Sequence, residues 1–277
     1  MTSLLFIAFL AIPVLLVLGL SILRYKSEQR INKRVRNLFL KSDNHVHRTF
    51  THASINNLPE PVQRYFKTVL KEGQPYINCI RLRHTGKFKT NLHKDWVNIT
   101  GEEYFTTVNP GMLWIGRTKW FTAVDAYIGG KGSLTVWLLS VVKIADSHGV
   151  KYTQGELLRW LGESVWFPTN LLPGENLRWT AIDNNTARLN FTLKSCTVFY
   201  IVTFGESGEI TQLETKRYMG DKNLETWIGR LSDYRKHDGV LIPTLIEAAW
   251  NLEGTEFPYA RFEVSQIEYG KPGRYPS

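Results

Sequence analysis

The chain has 277 residues, and its 34 Lys and Arg against 25 Asp and Glu give a formal net charge of +9 at pH 7. Its two cysteines, Cys79 and Cys196, are too few for a disulfide framework and have no metal-binding spacing. With 14 Phe, 12 Tyr and 9 Trp, the chain has enough aromatic residues for a large core.

The chain opens with an apolar run. Residues 1–23 contain no charged side chain, and the run from Leu4 to Leu23 is almost wholly Leu, Ile, Val, Phe and Ala. About 20 apolar residues in a helix cover the ~30 Å hydrocarbon core of a bilayer. A cleavable signal peptide would instead have a basic start, a shorter apolar core and a small-x-small cleavage site. The sequence therefore predicts a transmembrane anchor over residues 1–23.

A basic segment follows the anchor. From Arg24 to Lys41 there are seven Lys or Arg and one Glu, a net of +6, so the rest of the chain carries only +3. Positive charge beside a span marks the cytoplasmic side and attracts anionic headgroups, by about 1 kcal/mol per residue. We expect a single-pass cell-membrane protein with a cytoplasmic domain, the alternative being a periplasmic or extracellular one. Nucleic acid is not expected as a partner, because that needs a basic stripe on the folded surface.

Residues 24–57 are expected to form this juxtamembrane segment and a polar linker. His45, His47 and His52 lie close together in it, which is a spacing that a metal site can use. The segment is a polar connector without a cysteine, so the linker interpretation is preferred and no metal is expected.

Residues 58–277 show the pattern of one antiparallel β domain. Runs rich in aromatic and β-branched residues alternate with short turns, among them Gly129–Gly132, Asp183–Asn185, Gly205–Gly208 and His237–Gly239. Helices are predicted after Leu58 and over Gly155–Thr169. The expected fold class is α+β, mostly antiparallel β: a curved sheet or half-barrel with one or two packing helices, plus the N-terminal transmembrane helix.

The helix predicted over Gly155–Thr169 is the first candidate site. Glu156, Arg159, Trp160 and Glu163 fall at i, i+3, i+4 and i+7 and so share one face. Two glutamates that bracket an arginine can perform acid–base chemistry at the mouth of a pocket, or contact a ligand together with Trp166. They can equally form a structural ion-pair ladder. The sequence leaves these alternatives open.

The C-terminal strands give a second candidate site. If Asp238–Gly239 forms a two-residue turn, Trp227 faces Trp250 and Arg230 faces Glu247, and a five-residue loop over Leu252–Glu256 places Arg261 opposite Glu247. One carboxylate between two guanidiniums is a plausible anchor for the polar group of a ligand in an apolar cavity. A structural pairing explains the same residues.

The helix segment also carries a family resemblance. Gly155–Trp160, Leu161, Glu163, Trp166–Thr169 and Leu171–Pro173 fit the pattern GELLRWLxExxWFPTxLLP, which resembles an uncharacterised bacterial membrane-anchored family. Further matches to that pattern are Leu58-Pro59, Val62, Arg64–Phe66, Leu177–Trp179, Ile182-Asp183, Arg217-Tyr218, Tyr234-Arg235 and Ile242–Thr244. By topology the chain also resembles the half-barrels that carry lipoproteins or lipids across the bacterial envelope. Such carriers work outside the cytoplasm, which conflicts with the side predicted from charge.

No recognised catalytic signature is present: His-Glu-x-x-His, Gly-x-Ser-x-Gly and the glycine-rich dinucleotide loop are all absent from the sequence. The leading hypothesis is a membrane-tethered protein that holds a lipid or other amphiphile in a curved sheet, without a cofactor. The alternatives are an enzyme with Glu156 and Glu163 as acid–base pair, or a scaffold for a protein partner. The candidate ligand-binding residues are Glu156, Arg159, Glu163, Trp166, Arg230, Glu247 and Arg261.

Overall fold

The computed structural model describes residues 2–40, 48–220 and 223–276, without the side chains of residues 2–13 and 16. Its helices are α1 (Thr2–Leu40), α2 (Glu60–Val69) and α3 (Val150–Gly162), and 3₁₀ turns cover His52–Ile55, Glu163–Trp166 and Pro168–Leu171. The strands are β1 (Cys79–Phe88), β2 (Val97–Thr106), β3 (Gly111–Arg117), β4 (Phe121–Ile128), β5 (Lys131–Leu138), β6 (Val142–His148), β7 (Leu177–Ala181), β8 (Thr186–Leu193), β9 (Cys196–Phe204), β10 (Ile210–Tyr218), β11 (Leu224–His237), β12 (Val240–Leu252) and β13 (Thr255–Tyr269).

The described strands form one thirteen-stranded antiparallel sheet in the order β6-β5-β4-β3-β2-β1-β13-β12-β11-β10-β9-β8-β7. Each half is a meander, and β1 joins the halves by pairing with β13. Bulges at Arg83/His84 and Ala248/Ala249 interrupt the register near this junction, and bulges add local twist and bend. The predicted fold class, a mostly antiparallel curved sheet with packing helices, is confirmed for the domain.

The concave face of the sheet carries the main core. The chain runs from β6 into α3, which crosses this face and contacts β4, β5, β9 and β10 before β7 begins. Leu157, Leu158, Leu161 and Val165 are buried there, as the predicted apolar surface of the helix requires. Helix α3 begins five residues before the predicted start, and it ends at Gly162 because the chain then tightens into two 3₁₀ turns around Pro168.

The opposite, convex face is covered by the C-terminal half of α1. Ile31, Val35, Leu38 and Phe39 are buried against outward-facing side chains of β2, β3 and β4. Within the segment 24–57, predicted to be juxtamembrane and linker, this stretch therefore contributes to the folded domain. His45 and His47 lie outside the described residues, and His52 pairs with Glu72.

The C-terminal tail holds α1 in place. Arg274 donates hydrogen bonds to Glu28 and Asn32 of α1 at 2.7 Å and to Glu102 of β2 at 3.0 Å. The next residue, Tyr275, is buried in the same cluster as the helix. The tail thus ties the helix to the sheet through ion pairs and a buried ring.

In the part of the chain that the structure describes, no helix is both long enough and apolar enough to cross a membrane. Most of the predicted anchor, residues 1–23, lies outside the described set: residue 1 is not described, and neither are the side chains of residues 2–13 and 16. The described residues therefore give no support to the transmembrane helix, which rests on the sequence.

Two leucines two positions apart test whether α1 is part of the domain. Leu38 is 2% exposed and Leu40 is 64% exposed. We expect Leu38→Ala to lower the free energy of unfolding by about 2–5 kcal/mol, because it leaves a cavity under the helix. Leu40→Ala, the control, should change it by less than about 0.5 kcal/mol. Chemical denaturation of the full-length chain measures both, and equal effects would mean that the helix does not pack on the sheet.

Candidate functional site

A cavity of about 530 Å³ lies between the concave face of the sheet and α3. This volume is within the range of small-molecule sites, about 300–1,000 Å³. Strands from both halves of the sheet line it, together with α3. Its aromatic wall consists of Phe88, Trp114, Phe121, Tyr152, Trp166, Tyr200, Tyr218, Trp227, Trp250, Tyr259 and Phe262.

A row of small residues makes room for the cavity. Gly229, Ala248 and Ala260 pair across β11, β12 and β13 and all line the cavity. Because every second residue of a strand faces the same side, this row lies between larger side chains, including Trp227 and Trp250. The ring of Trp227 lies over Gly229, where an added Cβ atom would come within 2.7 Å of it, and the methyl groups of Ala248 and Ala260 leave a depression beside that ring.

At the α3 side of the cavity, the guanidinium of Arg159 lies within ion-pair distance of four carboxylates. The side chain of Arg159 lies 2.6 Å from Asp125, 2.9 Å from Glu163, 3.7 Å from Glu103 and 3.9 Å from Glu156. Its guanidinium also lies over the ring of Trp114, 5.2 Å from the ring centre.

The sheet positions its share of this cluster by register. Glu103, Trp114 and Asp125 pair across β2, β3 and β4, so the two carboxylates flank the ring on the concave face. Arg217 reaches the same place from β10, with its guanidinium 3.8 Å from Glu156. The cluster therefore joins both halves of the sheet to α3.

Burial favours the protonated form of these carboxyl groups. Burial, and then the neighbouring charge of Asp125, raises the pKa of Glu156 to about 8. Burial and the nearby Glu163 raise the pKa of Glu103 well above its ordinary value, and burial also raises the pKa of Asp125 and of Glu163. Near neutral pH some of the four carboxyls therefore hold protons, and Glu156 is one of them.

A buried histidine supports the cluster from behind. His84 accepts a hydrogen bond from the indole of Trp114 at 2.8 Å and lies 3.6 Å from Glu103. Burial, and then the charge of Arg159, lowers the pKa of His84 to about 3. His84 is therefore neutral and contributes no charge to the site.

The structure brings four of the seven sequence-predicted site residues to the cavity: Glu156, Arg159, Glu163 and Trp166. Trp166 is a wall residue whose indole donates to the carbonyl of Pro243 at 3.1 Å. The predicted interaction of Arg159 with both glutamates is present, and it includes two further carboxylates from the sheet.

The other three do not line the cavity, which corrects the prediction of an anchor there. The predicted register is confirmed, since Glu247 pairs with Arg230 on one side and Arg261 on the other. However, side chains alternate between the faces of a strand, and Ile246 and Ala248, on either side of Glu247, point into the cavity. Glu247 therefore points to the convex side, where it is 42% exposed beside Arg261 at 59%.

The predicted loop between the last two strands is also wrong in detail. Leu252 pairs with Thr255 across a two-residue turn, instead of flanking a five-residue loop. A bulge at Tyr259 then shifts the register by one, so Glu247 still faces Arg261.

Three residues of the cluster were missed by sequence reasoning: Glu103, Asp125 and Arg217. Asp125 had a signal, because it is the one charged residue in the apolar strand Phe121–Ile128, and a lone carboxylate on a buried face needs a partner. Glu103 lies on the strand face of Ile99, Gly101 and Phe105, which is a weaker signal of the same kind.

Among the described residues, no group of three or more His, Cys, Asp or Glu is arranged to hold a metal ion. Because Arg159 occupies the centre of the carboxylates, its guanidinium takes the place that a cation would use.

The fold and the cavity define a class: a curved antiparallel sheet that encloses an apolar cavity with a buried ionic cluster at one side. The family model for a family of unknown function, DUF6544, matches residues 48–262, and the chain belongs to this family. This confirms the resemblance to an uncharacterised family. No curated protein matches the chain.

Two solved structures are similar in fold. A LolA superfamily protein from Nitrosomonas europaea is 13% identical, with a TM-score of 0.43 over 75% of this chain and 91% of that one. A domain described as an outer membrane lipoprotein-sorting protein, from Vibrio parahaemolyticus, is 8% identical, with a TM-score of 0.39 over 70% of this chain and 86% of that one. Both likenesses concern the fold alone.

The raised pKa of Glu156 makes a prediction about stability. In the unfolded chain this carboxyl titrates near its ordinary value of 4.5, and in the folded protein near 8. Its contribution to stability is therefore complete below the lower value and is lost as the pH rises through the higher one, with a slope of up to about 1.4 kcal/mol per pH unit. Glu156→Gln should remove this loss, so the variant gains stability over the wild type between about pH 5 and about pH 8.5.

Urea denaturation at several pH values measures the effect on the full-length chain. Glu247→Gln, the same substitution at a solvent-exposed site, is the control and should leave the pH dependence of the wild type in place. Parallel stability curves for the wild type and Glu156→Gln would contradict a protonated Glu156.

Proposed function

We propose that the protein is a membrane-tethered binding protein that holds a lipid or other amphiphile between its curved sheet and α3. The observation that carries this proposal is the cavity of about 530 Å³, with its aromatic wall and a polar cluster at one side. An amphiphile has the same two parts, an apolar chain and a polar head group.

The dimensions and the chemistry of the wall support such a ligand. The methyl groups of Ala248 and Ala260 give the cavity its depth, and the rings of Trp227, which lies over Gly229, and of Trp250 flank it. Each CH₂ group that moves from water into such a site contributes about 0.8 kcal/mol. An alkyl chain of ordinary length therefore provides enough free energy for binding even after the cost of ordering it.

The tether belongs to the proposal on the strength of the sequence. We propose that the apolar run Leu4–Leu23 anchors the chain in the cell membrane, with the basic residues from Arg24 to Lys41 beside anionic headgroups and the domain on the cytoplasmic side. The packing of Ile31 and Val35 on the sheet would then hold the domain close to the membrane surface.

An acid–base enzyme is the second candidate, and one observation favours it. Glu156 lines the cavity with a pKa of about 8, so it holds a proton at neutral pH that a general acid can donate. A binding protein returns its ligand unchanged, whereas an enzyme yields a product. The chemical identity of whatever leaves the cavity therefore separates the two.

The cavity predicts a ligand that co-purifies with the protein. Mass spectrometry of organic extracts from the full-length chain should find a recurrent amphiphile at a ratio near one to one. Ala248→Phe places a ring in the depression and should lower this ratio roughly tenfold, equivalent to about 1.4 kcal/mol. Ala181→Phe makes the same change at an exposed position of β7 and should retain the ligand. Lipid bound outside the cavity is then the same in the two variants and cancels when their ratios are compared.

Equal amounts of every lipid in the two variants would contradict the binding proposal. Circular dichroism and the unfolding midpoint establish that Ala248→Phe remains folded, so that loss of ligand reports on the cavity.

The cytoplasmic side predicts protection from protease. In cells whose outer envelope is opened while the cell membrane stays intact, added protease should leave the domain whole, and lysis should expose it. The measurement is an immunoblot against the C-terminal end of the chain. Digestion before lysis would place the domain on the periplasmic or extracellular side.

A further inference from the structure

The cavity-lining side chains include carboxyl oxygens without a hydrogen-bond partner. Asp125 Oδ1, Glu156 Oε2 and Glu163 Oε2 are buried and receive no hydrogen bond from a donor among the described residues. Glu163 shares a hydrogen bond with the carboxyl group of Glu103 when one of the two holds a proton, which leaves the oxygens of Asp125 and Glu156. A buried polar atom that stays unpaired is unfavourable, so in their ionised form these oxygens mark a place where a ligand can supply donors.

Among these carboxyl groups, Glu156 has the weakest contacts with the guanidiniums. Its side chain is only 5% exposed, and the nearest guanidinium nitrogens lie at 3.9 Å on Arg159 and 3.8 Å on Arg217. Both distances exceed the ~3.2 Å limit of an N–H···O hydrogen bond. The carboxyl group therefore lines the cavity without a direct hydrogen bond from either guanidinium.

The balance of charge points the same way. Four carboxyls, those of Glu103, Asp125, Glu156 and Glu163, share the guanidiniums of Arg159 and Arg217. A further cation of the wall, Lys151, lies farther along α3 with its ammonium 5.1 Å from the ring centre of Tyr218. At the cluster itself, the four carboxyl groups outnumber the guanidiniums of Arg159 and Arg217 by two to one.

We infer that the cavity binds an amphiphile with a cationic, N–H-bearing head group, such as an alkylamine or alkylguanidine, and that the head group donates hydrogen bonds to Glu156 while the chain lies against the aromatic wall. This inference rests on the proposed function, and it adds the chemical class of the head group.

Binding of such a head group releases a proton. Glu156, with its raised pKa of about 8, is neutral at pH 6.5, and a cation favours its ionised form. Affinity for a permanently charged cation should therefore increase with pH, roughly tenfold or more between pH 6.5 and 8.5. The charged groups that face Glu156 are Asp125 on β4, Arg217 on β10, and Arg159 and Glu163 on α3, with Glu103 on β2 beyond Arg159.

Three probes with alkyl chains of nine or ten carbon atoms test the inference: decylguanidinium, decan-1-ol and decanoate. Each is titrated into the full-length protein by calorimetry, below micellar concentrations, at pH 6.5 and 8.5. We expect decylguanidinium to bind tightest and to release protons, which appear as a dependence of the heat on the ionisation enthalpy of the buffer. Decan-1-ol should bind more weakly and independently of pH.

Two matched variants locate the head group. Glu156→Gln should weaken decylguanidinium roughly tenfold to a hundredfold, the value of a hydrogen bond to a charged group, and affect decan-1-ol far less, because the neutral amide still offers the hydroxyl a hydrogen-bond partner. Glu247→Gln, on the convex face, should change neither. The pH dependence of the wild type provides the same test without a substitution, should Glu156→Gln prove unstable.

The outcomes separate this inference from the proposed function. Tightest binding of decanoate, with loss in Arg217→Gln, would assign an anionic head group and overturn the inference, while the binding function would stand. Equal binding of all three probes, with no pH dependence, would overturn it in the same way. Binding of none of them would overturn both.

Discussion

The guanidinium of Arg159 is the interaction on which this arrangement depends. It is 12% exposed and bridges α3 to the sheet through Asp125 at 2.6 Å while it holds Glu163 of its own helix at 2.9 Å. A buried carboxylate without a partner costs several kcal/mol, so β2 and β4 can carry Glu103 and Asp125 on their concave faces only because this cation lies between them. In return, the carboxylates fix the position of the helix, and the space between helix and sheet becomes a cavity of defined shape.

The same helix both covers the core and leaves part of it open. At its C-terminal end, Leu158 and Leu161 are buried, and the indole of Trp160 donates to the carbonyl of Thr106. Farther along the concave face, Ala248 and Ala260 present only methyl groups to the cavity, and the ring of Trp227 covers Gly229. Close packing elsewhere in the core keeps this gap from collapsing, because side chains in a dense interior shift little. The convex face needs no such opening, and α1 packs directly on it.

Sequence reasoning reached some of these features and not others, for identifiable reasons. The hairpin at Asp238–Gly239 set the register of Arg230 and Glu247 correctly, because turn chemistry and side-chain alternation are local properties. Which face of that hairpin would be concave was not local, since it depends on the curvature of the whole sheet and on where α3 crosses it. The interpretation of Glu247 as a cavity residue was wrong for that reason.

The cluster around α3 shows the same limit. The spacing of Glu156, Arg159 and Glu163 follows from helix geometry and was visible in the sequence. Their partners on β2, β4 and β10 come from positions 53 residues before to 61 residues after Glu156 in the chain, as the ion pairs to Glu103 and Arg217 show. Only the pairing of distant strands brings them together. A lone acid such as Asp125 in an apolar strand signals that some partner exists, but not which one.

The protonation of the cluster connects its structural and its proposed binding roles. If all four carboxyls were ionised, they would outnumber the guanidiniums of Arg159 and Arg217 by two, and Arg34, whose charge also acts on Asp125, would offset only part of this excess. Burial opposes that state and raises the pKa values, so bound protons reduce the excess when the cavity holds no cation. A bound cationic head group would offset the negative charge of Glu156 in place of the proton. The fold thus tolerates more acids than it has cations to pair with them, and this surplus would give the cavity its preference for one kind of ligand.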